Sequence, residues 1–408
     1  MKRPSIHYLV ASPAGDIPVD TSRLDYPLEG DPLQTPYRIY FQAISDFLSR
    51  EHFQPLLKAV SEHLGTDFDL GALNEIIVRT EKHGALYHPA SIECMLRDGR
   101  AKFGLHVAMT DIGRDCLIKE FALLKTLHAR FSFSHIPMPY HAAELHSMVF
   151  LLEEWFEDYH EFHIAKTENG KQQMKLWEYG KGDRVLSSEQ GFEIYRQSAQ
   201  ILTLYYDLND FYLIYPWHHA AGDFVVRIGK DSNPPQPPFR KGGNTGNVLD
   251  DDKNQNIPPL GKGDRGGFLD KIDVKLTSVR GYEPFLRIAE DDMISPVLAL
   301  FYFLLHLSIQ MRLDKLDGVG EVAWADGLCV DATLTGFLEG LKRKNDFREC
   351  CGSVRSFLML LKSFTKEDLR KTAAPIAEQF EQTKDYRIIQ EHFEEHVERL
   401  YLTLQNFP

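Results

Sequence analysis

Two strand-like runs, SIECML at 91–96 and KFGLHVAM at 102–109, are separated by Arg97-Asp98-Gly99-Arg100. An Asp-Gly pair supplies the positive φ that a tight turn requires, so the runs are tied into a hairpin. That hairpin commits this part of the chain to an antiparallel sheet. Ile76-Ile77-Val78 begins another strand before it. A helical period follows at 114–130, with Cys116, Leu117, Phe121, Leu124 and Leu127 on one face. Pro137-Met138-Pro139 then breaks the chain, and a strand at 148–152 runs into Glu153-Glu154-Trp155-Phe156. Strands, one crossing helix, then strands define an α+β arrangement.

The flanks differ. Residues 1–35 are rich in Pro, Asp and Gly and read as an irregular arm. Tyr40, Ile44, Phe47 and Leu48, then Phe53, Leu56, Leu57, Val60 and Leu64, recur at helical spacing and predict two cap helices. A long amphipathic helix is expected at 189–207, a strand at 272–279, and helices at 296–313, 332–342, 354–363, 366–384 and 386–404. The helix at 296–313 is apolar nearly all round and should be central. Thr365 followed by Asp368 has the capping-box pattern. Between them, 232–268 is dominated by Pro, Gly, Asn and Asp and cannot bury enough apolar surface to offset its ordering entropy, so it reads as a disordered insertion. The segmentation expected is 1–73 (arm and helical cap), 74–155 (sheet and one helix) and 156–408 (mainly helical, carrying the insertion).

The net charge of −13 argues against a phosphate-backbone footprint, which needs clustered Lys and Arg, so no nucleic-acid partner is expected. Met1-Lys2-Arg3 is not followed by an apolar signal region. The longest apolar run, 297–309, is short for a membrane span and contains His306, so no membrane association is expected. Five cysteines, with no CxxC pair, fit free thiols in a reducing cytoplasm.

The chemistry-bearing residues concentrate at 212–227, YLIYPWHHAAGDFVVR, where a strand, a tight polar turn and another strand hold His218, His219 and Asp223. Loops on a rigid scaffold are where side chains are exposed for chemistry. The three could form a metal site or an acid–base pair, or simply a structural turn. His160 and His163 in YHEFH would share a helix face and reach one metal with Glu161 or Glu157. The favoured reading there is a polar cleft edge with Phe162 packed inward. Glu153, Glu154, Glu157 and Asp158 form an acidic patch that would attract a cation or serve only as a solvated face.

This order of elements resembles the protein-kinase-like fold, in particular its aminoglycoside phosphotransferase and choline kinase branch, over about 74–345. The resemblance implies a bilobal fold, with a small antiparallel-sheet N-lobe and a helical C-lobe. Lys119-Glu120-Phe121 resembles the acidic helix that pairs with the phosphate-holding lysine, which makes Glu120 a nucleotide-binding candidate. The segment 149–155 is similar to the fifth strand running into the hinge that binds adenine, which adds Glu153, Glu154 and Trp155. The 212–227 stretch resembles the catalytic loop His-Gly-Asp-x-His-x-x-Asn. Placing Asp223 on the Asn puts His218 at the catalytic Asp and Ala220 at the second His, with Asp223 as the metal candidate. ATP and Mg²⁺ are the cofactors implied, with a nucleotide or small cationic molecule as ligand.

The chain departs from that pattern. Thr110 stands where Val107-Ala108-Met109 would lead to the lysine, Leu276-Thr277-Ser278 stands where the metal-binding Asp belongs, and Asp273 would need a shifted register. Lys82 and Lys102 are the substitutes in reach by sequence, and the 81–91 turn has one glycine, Gly84. Phosphoryl transfer is mostly positioning and charge neutralisation, so these losses imply a catalytically degenerate, pseudokinase-type binding or regulatory module with a protein partner. The alternatives are an active phosphotransferase, with His218 as base and Asp223 on Mg²⁺, and a metal-dependent hydrolase using His218, His219 and Asp223. The insertion also resembles translated mobile repeat elements of bacterial genomes, which implies a bacterial source.

Overall fold

The computed structural model describes residues 3–12, 15–81, 84, 86–229, 271–285 and 295–408. The insertion expected at 232–268 lies outside the described residues. The start of the chain differs from the irregular arm expected. Strand β1 (Ser5–Val10) pairs with the short β2 (Ile17–Pro18) and lies parallel to β3 (Leu73–Thr80), with Ile6 opposite Ile76 and Tyr8 opposite Val78. Ile6 and Tyr8 alternate with the more exposed Ser5 and His7, a period of two that is too short to stand out beside its Pro-rich flanks.

Helices α1 (Tyr37–Leu48) and α2 (Arg50–Leu64) follow as expected. The hairpin is β4 (His88–Leu96) and β5 (Gly99–Ala108), with Leu96 opposite Gly99. Helix α3 (Asp111–Arg130), β6 (Pro139–Leu145) and β7 (Met148–Glu154) complete this part. The sheet order is β2-β1-β3-β4-β5-β7-β6, antiparallel except at β1–β3. Alternation along β7 sends Phe150 and Leu152 to the face covered by α1 and α2, and Val149 and Leu151 to the core shared with Leu117, Leu124 and Leu127 of α3. Each such side chain removed from water contributes about 1.5–3 kcal/mol, so both faces of the sheet are held.

Beyond β7 lie three strands that the sequence reading did not anticipate: β8 (His160–Lys166), β9 (Gln172–Glu178) and β10 (Gly182–Val185). They join β12 (Phe224–Gly229) and β13 (Lys271–Leu276) in an antiparallel sheet ordered β10-β9-β8-β12-β13. Between them run α4 (Ser188–Tyr205) and β11 (Tyr212–Ile214), which pairs with β14 (Tyr282–Pro284). The rest comprises α5 (Pro296–Gln310), β15 (Leu313–Lys315), β16 (Val322–Trp324), α6 (Gly327–Lys342), α7 (Asn345–Cys351), α8 (Val354–Ser363), α9 (Lys366–Glu378) and α10 (Tyr386–Asn406). Helix α5 is buried along nearly its whole length, as its all-round apolar pattern requires. The Thr365–Asp368 capping box is formed.

Helices α4 and α6 run side by side in the same direction. A Cβ at Gly336 would meet the Arg196 carbonyl, and one at Gly340 would meet Thr203, so glycine is what permits the approach. The fold is α+β, with an antiparallel-rich N-terminal region and a helical C-terminal region. Among the described residues no helix is long and apolar enough to cross a membrane.

Candidate functional site

The turn between β11 and β12 carries His218, His219 and Asp223, and it packs against the segment that leaves β13. Gly222, at φ 69°, sets the turn; a Cβ there would lie 2.7 Å from Glu161 Oε1. The Asp223 carboxylate is buried at 1% exposure. Arg280 donates to it twice, Nη2 to Oδ1 at 2.6 Å and Nη1 to Oδ2 at 2.8 Å. Ser278 Oγ donates to Oδ1 at 2.8 Å, and the His218 backbone N–H donates to Oδ2 at 2.8 Å. Four donors therefore converge on one carboxylate, whose two oxygens offer about four lone-pair sites. Burial works against the Arg280 charge, but Asp223 outweighs it and raises the guanidinium pKa.

Thr277 ties the same two segments together, its N–H donating to the Asp223 carbonyl at 2.7 Å. Two of the residues that stand where a metal-binding Asp was sought, Thr277 and Ser278, thus serve as donors to Asp223, while the Leu276 N–H donates to the His135 carbonyl. Asp273 does not take that role through a shifted register. It lies opposite Arg227 across the β12–β13 pair and is engaged by Arg227 and the Tyr159 hydroxyl.

Glu120, on α3, is buried at 1% exposure. Its Oε1 accepts the Val279 N–H at 2.7 Å and its Oε2 accepts the Tyr87 hydroxyl at 3.0 Å. Instead of a strand lysine, Glu120 holds the backbone just before Arg280. Thr110 is not a strand residue at all. It N-caps α3, its Oγ1 accepting the Gly113 N–H at 3.1 Å. Lys82 lies outside the described residues. Lys102 stacks its ammonium 4.8 Å from the Trp155 ring centroid, and burial lowers its pKa.

His106, on β5, projects to the face that holds Tyr87 and Glu153. Its Nε2 lies 2.9 Å from Glu153 Oε1, and its ring meets Tyr87 edge-on. Burial disfavours the imidazolium, but the Glu153 charge and hydrogen bond outweigh it and raise the His106 pKa. Two residues along, Gly104 faces Glu153 across the strand pair, and a Cβ there would lie 3.5 Å from Glu153 and 3.6 Å from Trp155. Glu153 and Trp155 therefore pack directly on the β5 backbone. Glu154 lies half-buried beside them, and its carboxylate accepts the Met138 N–H at 3.3 Å.

His219 is buried at 1% exposure among the rings of Phe162, Tyr195, Trp217 and Phe224, and burial pushes its pKa down to about 4. It belongs to the core, not to a ligand set with His218 and Asp223. His218 is partly buried, and burial lowers its pKa against the pull of Asp385, Asp314 and Asp223. His160 and His163 lie on strand β8, not a helix, so an i, i+3 spacing puts them on opposite faces. His163 pairs instead with Asp314 and Glu161; burial opposes its charge, yet these two carboxylates push its pKa up to about 9. Phe162 points inward, as expected. Among the described residues no group of three or more His, Cys, Asp or Glu side chains is arranged to hold a metal ion.

The structure thus brings together Asp223 with the His218 backbone, and Glu153 with Trp155; Glu120 joins the first group through Val279. The sequence reading missed Arg280, Ser278, His106 and Tyr87, which complete the site. No family model matches the chain, and no curated protein matches it. Among solved structures, the kinase domain of PF14_0431 matches at 11% identity, covering 83% of this chain and 92% of that chain, with a TM-score of 0.27.

Proposed function

We propose that this chain is a kinase-like protein that does not transfer phosphoryl groups and acts as a binding or regulatory module. The observation that supports this reading is the saturation of Asp223 by donors from its own chain, with Arg280 supplying the counter-charge. A divalent cation at Asp223 would have to displace that guanidinium. Leaving one partner of a buried pair uncompensated costs roughly 3–5 kcal/mol. The His106–Glu153 pair and Trp155 likewise lie where the resemblance seats a nucleotide, and the Glu153 carboxylate there is already engaged by His106 Nε2. Phosphoryl transfer depends on charge aimed at the phosphates, and here that charge is spent internally. On this reading neither ATP nor Mg²⁺ is a resident cofactor, and the partner is a protein.

The test is a thermal-shift titration with ATP, with and without Mg²⁺ or Mn²⁺. Binding to the native state raises the melting temperature by mass action. The expected result is no shift. A Mg²⁺-dependent rise that Asp223→Ala abolishes would overturn the reading in favour of an active phosphotransferase.

A further inference from the structure

A cavity of about 310 Å³ lies away from Asp223, between the β8–β9 hairpin and the starts of α4 and α6. That volume is at the lower end of small-molecule sites, about 300–1,000 Å³. Ile164, Met174, Leu186 and Leu328 form apolar walls. Tyr195 also lines it and is 5% exposed. Its ring is fixed edge-on against His219 at 5.7 Å, and among the described residues its hydroxyl has no hydrogen-bond partner. Tyr195 lines the cavity, so a ligand atom there can accept from its hydroxyl.

The rim carries one charge of each sign. Lys171 is exposed, and among the described residues its ammonium has no ion-pair partner. Asp326 is also exposed; its Oδ1 caps α6 by accepting the Leu328 N–H at 3.0 Å, and among the described residues no group donates to its other oxygen. The two helix ends at the cavity are already capped, α4 by the Ser187–Gln190 box and α6 by Asp326. The cavity thus combines an exposed cation, an exposed anion, apolar walls and the hydroxyl of the buried Tyr195.

We propose that this cavity binds a small zwitterion with an apolar body, a free α-amino acid. Its carboxylate meets Lys171, its ammonium meets Asp326, and its side chain enters between Ile164, Met174, Leu186 and Leu328. Tyr195 donates to a side chain that ends in an oxygen, such as that of tyrosine. A plain anion would satisfy Lys171 but face Asp326, and a plain cation would do the reverse. The proposal is independent of the phosphotransfer question, because no donor to Asp223 lines the cavity.

Isothermal titration of the full chain with L-tyrosine, L-phenylalanine and L-leucine, with phenylacetate and phenethylamine as single-charge controls, tests this. Saturable binding of at least one amino acid is expected, at least tenfold tighter than either control. Lys171→Met and Asp326→Asn should each weaken it about tenfold. Both retain the fold, since Lys171 is exposed and asparagine caps a helix as well as aspartate. Tyr195→Phe should weaken tyrosine binding several-fold and leave phenylalanine unchanged. No saturable binding at millimolar amino acid, equal binding of the controls, or affinity unchanged in the two rim variants would each overturn the proposal.

Discussion

The Arg280 guanidinium grips both oxygens of the Asp223 carboxylate, at 2.6 and 2.8 Å. Asp223 is nearly inaccessible and the Arg280 side chain is about a quarter exposed, at 28%. Removing the cation leaves a buried charge with only neutral donors. Arg280→Met should therefore cost about 3 kcal/mol in urea unfolding, the lower end for a broken buried pair. Asp223→Asn in the same chain should restore more than half of that loss, because the amide needs no counter-charge. Two losses that simply add would show that the contact is not a coupled pair.

The α4–α6 contact leads to a second expectation. A Cβ at Gly336 would sit 1.9 Å from the Arg196 carbonyl oxygen and 2.8 Å from its carbon. Neither is a flexible side-chain end, so the helices would have to separate. Gly336→Ala should destabilise by about 3 kcal/mol, the upper end for overpacking, despite the better helix propensity of alanine. Gly352→Ala is a control of a different kind, strained by its positive φ of 80° but open in space, and it should cost less.

Much of this architecture was legible in the sequence because the signals were local. The Asp98-Gly99 turn fixed the hairpin, the 3.6-residue period located α1 to α6 and α8 to α10 but not the short α7, and the Thr365–Asp368 pattern located a cap. Strands β8 and β9 also alternate, Phe162 with Ile164 and Met174 with Leu176, but interleaved His, Glu and Lys and the close turns at Gly170 and Gly180 broke the run below recognition. Strand β1 was missed because its pairing with β3 is non-local.

The site divides along the same line. Asp223 and Glu120 stood out as acids in informative places, whereas their partners come from distant segments. Arg280 lies beyond the insertion, and Val279 contributes only a backbone N–H, which no side-chain pattern could mark. His106 hid inside a strand-like run. The apparent lysine position at Thr110 failed because the strand ends at Ala108, and the hydroxyl was a helix cap.

His163 should make stability fall in alkali. Its pKa is raised from 6.5 to about 9 by Asp314 and Glu161. The contribution is fully present below the unfolded pKa near 6.5 and is lost as pH rises through about 9. At 1.36 kcal/mol per unit this is at most about 3 kcal/mol. Unfolding free energies at pH 6 and pH 10 should differ by less in His163→Gln than in the parent chain. Equal differences would remove His163 as the source.

His306 works in the opposite direction. Its ring lies between Tyr215, Phe285 and Phe380, and burial alone pushes its pKa down to about 4. A neutral imidazole buried in this way contributes stability that is present above the unfolded pKa and lost as pH falls from about 6.5 through 4. The loss is at most about 3 kcal/mol. Replacing the ring with one that cannot take a proton should remove that part of the acid sensitivity while keeping the aromatic contacts. His306→Phe is therefore expected to show a shallower fall in unfolding free energy between pH 7 and pH 4 than the parent chain. It should be little changed at pH 7, because no hydrogen bond of the ring is lost. An equally steep fall in the variant would assign the acid sensitivity to the other histidines His135, His219 and His396, whose pKa values burial also pushes down, to about 4, 4 and 3.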